Sequence, residues 1–566
     1  MKTKRLLAAL LILFTLSTSL LAGEQVLIDG IKYDIITKGK TAKVISNSYQ
    51  GDIVIPETVT YNGVECNVTA IDNSAFANCK QLKSVVVPNS VTEMGTKVFS
   101  ASYVESVTLG NGISVINTST FASCLNLSSV NIPESVITIG ERAFLGCLSL
   151  TSIYIPDNVE TIGKYAFSNC TGFTRMIIGD GVTKIDDYAF AGCSSLSSVV
   201  FGPKLAWIGD YAFNSCGLTS VKIPNNVKTI GARCFSGCNK LLSVQLGNGL
   251  TTIPSYAFSS CSQLMSLTMQ EGITTIGNNA FYNCTDLIVV KLPSTVTNIG
   301  SNAFSGCSKL YNVELHEGLE TISAGAFENC SDLNFIQIPN SVTKIWENAF
   351  RDCKKLATVM LGSGITNIYS YAFRNCADLE NVYCEATTPP YSSGSNVFGG
   401  SDIEYATLHV PASSVAAYQS TSPWSQFGSI VAIDELPQPE PVALEKCAKP
   451  TITYDDGMLY FSCDTPGAQF VYSIKNGGSD TGVGDKVQLV SNYYVSVYAT
   501  KSGYEDSDVT TKTFIPVKVI KGDVDGDGVV DISDAVGVVD IIMTSGASAP
   551  KMEVPAAEAE ESAEPE

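Results

Sequence analysis

The sequence predicts a β-rich solenoid of about fifteen turns, followed by a small β-sandwich and a short loop with an exit helix. Three observations predict the solenoid. A Phe-x-x-Cys beat returns down most of the 566 residues. Its period is almost constant. Each period carries two apolar runs separated by turn residues. A fixed period of this length marks an array in which each unit buries its apolar face only against its neighbours.

The beat is carried by Phe76, Phe99, Phe121, Phe144, Phe167, Phe190, Phe213, Phe235, Phe258, Phe281, Phe304, Phe327, Phe350, Phe373 and Phe398. The spacing is 23 residues, with 22 before Phe121 and Phe235 and 25 before Phe398. Residues 150–170 show how one unit works. Ile153 and Ile155 alternate with Ser152 and Tyr154, the period of a half-buried strand. Pro156 ends that strand by removing a donor. Val159 and Ile162 make a second inward run. Ala166, Phe167 and Cys170 close the unit and are expected to form a helical or 3₁₀ piece. Gly140, Gly163, Gly209, Gly231, Gly277 and Gly300 follow the second run, where other units carry Pro254, Trp346 or Tyr369. Pro cannot take a positive φ, so these glycines are expected to be there for size.

The unit resembles the BspA-type leucine-rich repeat of bacterial surface proteins, related to the Treponema-type repeat, over about residues 50–435. The resemblance implies a leucine-rich-repeat solenoid and a secreted or surface-displayed binding protein. Residues 76–400 are its repeats and 23–75 an N-terminal cap with the first repeat. In that cap Asn62-Gly63 is a hairpin signal, inserted between Ile55-Pro56 and Val68. Residues 401–435, with Tyr405, Leu408, Val410, Tyr418, Trp424, Phe427 and Ile430, resemble the C-terminal cap of such arrays.

The N-terminus reads as a secretory signal. Lys2, Lys4 and Arg5 precede an apolar run from Leu6 to Leu21, and residues 1–22 are expected to be removed. The mature chain then has 32 basic and 55 acidic residues, a net charge of −23. That charge repels nucleic acid and anionic lipid. No later stretch is long and apolar enough for a membrane helix. Eighteen cysteines in a secreted chain normally suggest disulfides. Thirteen of these sit on the beat, however, and stacked side chains point the same way, whereas a disulfide needs them to converge. Small buried thiols are the expected state, and serine in their place should strand a buried hydroxyl.

Beyond the Pro-rich linker 436–441, residues 442–517 carry short alternating runs punctuated by glycine, the pattern of a β-sandwich. Thr465-Pro-Gly-Ala and Ala499-Thr-Lys-Ser-Gly-Tyr504 resemble the C-terminal sandwich module of chitobiase-like enzymes, an accessory part there. Cys447 and Cys463 flank its first two strands; the compartment permits a disulfide between them and does not require one. Residues 518–545 hold Asp523, Asp525, Asp527, Val529, Asp531 and Asp534 at loop positions 1, 3, 5, 7, 9 and 12, with Gly528 at the turn. Hard cations take several oxygens around such a turn. The set resembles one dockerin calcium loop and implies one bound calcium, with Ala535–Met543 as exit helix. Dockerins carry two loops in tandem and one is found here, which leaves a cohesin-like partner open. The tail 546–566, with six Glu in its last fourteen residues, has a disordered composition.

Signals for catalysis are missing. Asp34 stands where a P-loop at Gly39-Lys40-Thr41 would need glycine, and neither His-Glu-x-x-His nor Gly-x-Ser-x-Gly occurs. His316 falls at a strand-ending turn and His409 in an apolar strand, positions that suit structural histidines. The expected function is therefore non-enzymatic binding of an extracellular protein or glycan. The alternative is an accessory component of a polysaccharide-degrading system, docked through the calcium module. Two outward rows are candidate ligand faces. Tyr154, Ile177 and Val200 follow one another between the inward residues of the first strand. Tyr165, Tyr188 and Tyr211 stack before Ala-Phe; Arg233 interrupts them and Tyr256 resumes.

Overall fold

The computed structural model describes residues 23–393 and 396–437, and most of 445–519 and 538–543. The chain divides into two compact units, the first running to Lys446 and the second beginning at Cys447.

The first unit is a solenoid of parallel-stacked coils. Two strand ladders run through it, one from each apolar run. In the second ladder Ile139, Ile162, Ile185, Ile208 and Ile230 lie in register, one above another. In the first ladder Phe335–Ile338, Thr358–Leu361, Asn381–Cys384, Thr407–Val410 and Ser429–Ala432 pair in parallel. Ile153, Ile155, Val159 and Ile162 are buried, as the alternation requires.

The Phe rings form a continuous stack from Phe76 to Phe398, with centroids 5.0–5.6 Å apart and planes within 12°. Both ends are covered. Tyr49 lies 4.6 Å from Phe76. Trp424 and Phe427 meet Phe398 edge-on at 5.7 and 5.3 Å. Each cap ring with a polar tip has a partner: Tyr49 donates to the Ile45 carbonyl, Trp424 to that of Pro390, and Tyr418 to that of Ala386. Tyr405, expected in the C-terminal cluster, is 86% exposed.

The N-terminal cap is built from β1 (Glu24–Ile28), β2 (Ile31–Ile36), β3 (Thr41–Val44), β5 (Thr58–Tyr61) and β6 (Val64–Ile71), which form one sheet. β4 (Gln50–Val54) instead starts the first ladder of the solenoid. Asn62 and Gly63, both at positive φ, turn β5 into β6. The end of β6 pairs with Glu93–Met94 in the second ladder. The hairpin is thus an insertion within the first coil.

The closing segment is not helical. From Gly163 to Cys170 the amides alternate. Ala166, Ser168 and Cys170 donate within the coil to the residue three back. Tyr165, Phe167 and Asn169 donate to Asp187, Ala189 and Ala191 of the next coil, at 2.7–3.0 Å. Pointing alternate amides along the stack requires alternate residues at positive φ, and both neighbours-but-one of Phe take it: Tyr165 at 57° and Asn169 at 58°. A helix would turn every amide inward, leaving the coils unlinked here. The glycines after the second run have no positive φ. A Cβ on Gly231 would meet backbone atoms at 2.3 Å, so close approach explains them.

The ladder cysteines are buried and unbridged. From Cys124 on, each thiol points back at the Phe carbonyl of the preceding coil: Cys170 to Phe144 at 3.0 Å, Cys238 to Phe213 at 3.2 Å, Cys376 to Phe350 at 3.4 Å; Cys79, in the first coil, points to the Asn47 carbonyl. Burial pushes the Cys238 thiol up to about 12, which keeps it protonated and able to donate. Two coils put serine in this place. Ser102 is buried beside Cys124, and Ser401 donates to the Phe373 carbonyl at 2.7 Å. A hydroxyl there is therefore satisfied, contrary to the expectation from sequence.

In the second unit, Thr451–Asp455, Met458–Ser462 and Lys486–Gln488 form one sheet. Gly478–Val483, Gln469–Asn476, Tyr493–Thr500, Thr510–Val519 and Val538–Met543 form another. Phe461 of the first sheet and Phe470 of the second are buried, with ring centroids 6.4 Å apart. No disulfide joins Cys447 to Cys463, whose thiol points to the Thr465 carbonyl. The expected exit helix is replaced in part by the strand Val538–Met543, antiparallel to Thr510–Val519. Its Val and Ile pairs favour a strand, and a sheet edge offers them one. The acidic loop from Asp523 to Asp534, the signal segment and the tail lie outside the described residues.

Two outcomes are expected from the thiol ladder. Unfolded in denaturant without reductant, the chain should titrate at least thirteen thiols that alkylating reagents do not reach in the native state. In thermal unfolding, Cys238→Ser should cost under about 1 kcal/mol, because the Phe213 carbonyl takes its hydroxyl. Cys238→Ala, which loses the donor and opens a small void, should cost about 1–3 kcal/mol. Serine proving the worse of the two would contradict this account.

Candidate functional site

The position two residues before Phe points out of the coil, at positive φ in every coil from Ser74 to Tyr371. Lys97 and Tyr371 stand there singly, and six units fill it with residues that are small or tolerate this backbone: Ser74, Ser119, Asn279, Asn302, Gly325 and Asn348. Six consecutive units do not. They carry Arg142, Tyr165, Tyr188, Tyr211, Arg233 and Tyr256, at φ 55–59°. Left-handed backbone costs an L-residue with a Cβ roughly 1–2 kcal/mol. It is held here by inter-coil bonds from Tyr188 to Asp210 at 2.8 Å and from Tyr211 to Ala232 at 2.9 Å.

The six side chains form one ladder. Tyr165 and Tyr188 stack at 4.7 Å, Tyr188 and Tyr211 at 4.5 Å. Arg142 lies over Tyr165 at 5.2 Å. Arg233 lies over Tyr256 at 4.2 Å and Tyr211 at 5.5 Å, and donates to the Tyr211 hydroxyl. Arg233, expected to break the row, joins its two parts, because a planar guanidinium stacks between rings as another ring would. Desolvation, then the neighbouring Tyr211 and Tyr165, push the Tyr188 phenol above its usual range, so it stays a donor.

Charged side chains border the ladder. Lys164 pairs with Asp187 at 3.4 Å and lies beside the stacked rings of Tyr165 and Tyr188, 5.7 and 5.9 Å from their centroids. Lys184 pairs with Asp186 at 3.1 Å and covers Trp207 at 4.6 Å. Arg142 pairs with Glu141 at 2.8 Å. These contacts tie the ladder, Trp207 and both lysines into one continuous surface.

The other candidate row fares differently. Tyr154 is 57% and Ile177 39% exposed, and the two are bridged in parallel. Val200 is only 5% exposed and leaves the row. It lies in parallel register with Ile177. Tyr154 and Ile177 belong to the first-strand ladder, whereas the tyrosine ladder follows the second strand; no recorded contact joins them. The carboxylates of Asp157, Glu134 and Asp180 near Tyr154, together with desolvation, hold its phenol above the usual range.

Sequence reasoning missed Arg142, Lys184 and Trp207 as parts of the surface. Arg142 was findable, since it stands two residues before Phe144. A further exposed row was also missed: Tyr103, Leu125 and Leu148, four residues after Phe, where later units carry Ser or Thr. The histidines are structural. His316 bonds the Leu292 carbonyl at 2.9 Å; His409 bonds Asn381 at 3.1 Å and stacks on Tyr383 at 4.1 Å. No group of side chains suited to a metal ion occurs among the described residues.

Comparison with known proteins agrees with this geometry. The family description of the BspA type leucine rich repeat region matches residues 53–174, 160–288 and 274–404. Among solved structures, a leucine-rich repeat protein from Bacteroides ovatus is 26% identical, covers 63% of this chain and 94% of that one, and has a TM-score of 0.47. A leucine rich cell surface protein from Faecalibacterium prausnitzii is 24% identical over 66% and 96%, with a TM-score of 0.39. The pneumococcal vaccine antigen PcpA is 18% identical over 73% and 100%, with a TM-score of 0.38. No functionally curated protein matches. With the repeat matched across more than half of its length, the chain belongs to the BspA-type leucine-rich repeat family.

Proposed function

We propose that this is a secreted or cell-surface, non-enzymatic binding protein that meets an extracellular protein or glycan through its repeats. The observation that carries this reading is the ladder Arg142–Tyr165–Tyr188–Tyr211–Arg233–Tyr256. Backbone strain is kept where the surroundings over-determine it and tends to collect at functional sites. Six bulky side chains at strained positions in consecutive coils, where elsewhere only Lys97 and Tyr371 stand singly among Ser, Asn and Gly, fit a selected surface. Tyr also combines wide contact area with a polar tip. The signal-like N-terminus supports export, and the Faecalibacterium neighbour described as a cell surface protein is in keeping with display.

Calcium is proposed from the donor set alone. Asp523, Asp525, Asp527, Asp531 and Asp534 with the Val529 carbonyl would supply the oxygens a hard cation takes. Docking of a cohesin-like partner has less support, because Val538–Met543 is a strand where a helix was expected.

Two experiments test these readings. The first uses the full mature chain carrying Tyr165→Asn, Tyr188→Asn and Tyr211→Asn, a triple variant that copies the native Asn279, Asn302 and Asn348 and so should fold. It should lose most binding to an array of matrix proteins and glycans, while Tyr154→Ser with Ile177→Ser keeps it. Full binding by the ladder variant would remove the ladder as the site. The second is calorimetric titration of the full chain with calcium. One ion should bind, and Asp527→Ala should abolish the heat; equal heat from both would disprove the assignment.

A further inference from the structure

We infer that the ladder takes an extended polypeptide segment, laid along the stack with its carbonyl acceptors toward the phenols and a carboxylate at Arg233. The inference rests on the proposed binding role and narrows it to one class of partner.

Three properties of the surface lead to it. The first is what the rings have left to offer. At 4.5–4.7 Å between centroids, the faces of Tyr188 and the facing sides of Tyr165 and Tyr211 are spent on one another. A sugar ring meets an aromatic residue by lying on its face, and these faces are taken. What remains is a line of ring edges and hydroxyls. The second is the kind of polar group in that line. Phenols and the guanidinium of Arg233 are donors, and desolvation holds the Tyr188 phenol above its usual range. The donors recur every 4.5–4.7 Å, whereas an extended chain rises about 3.3 Å per residue and repeats its same-side carbonyls about every 6.7 Å, so its backbone offers acceptors to some of the phenols and not one to each. The third is charge. Arg142, Lys164 and Lys184 each already hold a carboxylate, Glu141, Asp187 and Asp186. Arg233 has as its recorded partners the Tyr211 hydroxyl and the rings of Tyr211 and Tyr256. Its positive charge is unspent, and an acidic side chain on the partner would meet it. Tyr and Arg are also the residues that most often anchor protein interfaces, partly because rigid rings lose little entropy on binding. Tyr154, unstacked and 57% exposed beside carboxylates, is the contrasting surface on which a glycan could lie.

The test uses the full mature chain. Purified matrix glycoproteins are immobilised before and after enzymatic removal of their glycans, and the released glycans are added as soluble competitors. Binding should survive deglycosylation and resist the competitors. Tyr188→Phe with Tyr211→Phe keeps the stack and removes two hydroxyls. It should weaken binding at least about tenfold, the scale of one interface hot spot, with an unchanged melting temperature. Arg233→Gln should weaken binding and flatten its salt dependence, and Tyr154→Ser should do neither. Binding lost on deglycosylation or displaced by the released glycans would overturn the inference and leave the binding role standing. Phe variants that bind as well as the native chain would also overturn it. A chain that binds no immobilised protein and no glycan removes the binding role and the inference together.

Discussion

The contact on which the molecule depends is one phenylalanine ring lying on the ring of the coil before it. Fifteen such rings make a single stack with a cap ring at each end. Stacked pairs of this kind add to the burial of large apolar surface. Repetition matters more than the worth of any pair, because each coil is stable only when its neighbours are in place. The stack also explains how the period varies. Before Phe121 and Phe235 a residue is lost at the corner after the Ser102 or Cys216 position, where Val104 and Leu218 still turn inward. Two residues are gained before Phe398, in the segment that contains Thr387-Thr388-Pro389-Pro390. The rings remain 5.1–5.6 Å apart in all three places.

Around the stack, each thiol answers a carbonyl. The Phe carbonyl accepts the Cys amide of its own coil and the Cys thiol of the next. Cysteine suits the site because it is small, packs as an apolar group and still donates weakly. Ser102 and Ser401 show that donating matters as well as packing. Burial raises the thiol pKa and removes the thiolate that oxidation needs. Thirteen stacked cysteines can thus remain unpaired.

The same geometry produces the outward ladder. Alternating amides tie the coils together only if the residue two before Phe accepts a left-handed backbone. Once inter-coil bonds impose that conformation, the side chain there projects outward and lies above its counterpart in the next coil. Tyr and Arg in six successive coils then stack without further design. The bonding between coils and the outward ladder share one backbone device.

Much of this was legible in the sequence. The period, the inward residues of both strands, the Asn62-Gly63 turn and the small-residue role of Gly163 and its counterparts follow from alternation, from the limits on proline φ and from turn chemistry. Those are local rules, and a repeat applies each of them some fifteen times. The positive φ two residues after Phe was also present, as Asn, Gly or Ser at Asn78, Gly146, Asn169, Gly192 and Ser215, and went unread. What only the tertiary structure decided concerns neighbours in adjacent coils. Tyr165 and its companions gave no sign of left-handed backbone, because inter-coil hydrogen bonds impose it against their own preference. From Cys124 on, the partner of each thiol is a carbonyl 25 or 26 residues earlier. Arg233 joins the ladder because a ring lies on either side of it. In each case the deciding atoms belong to an adjacent turn of the chain, 21 to 26 residues away in sequence.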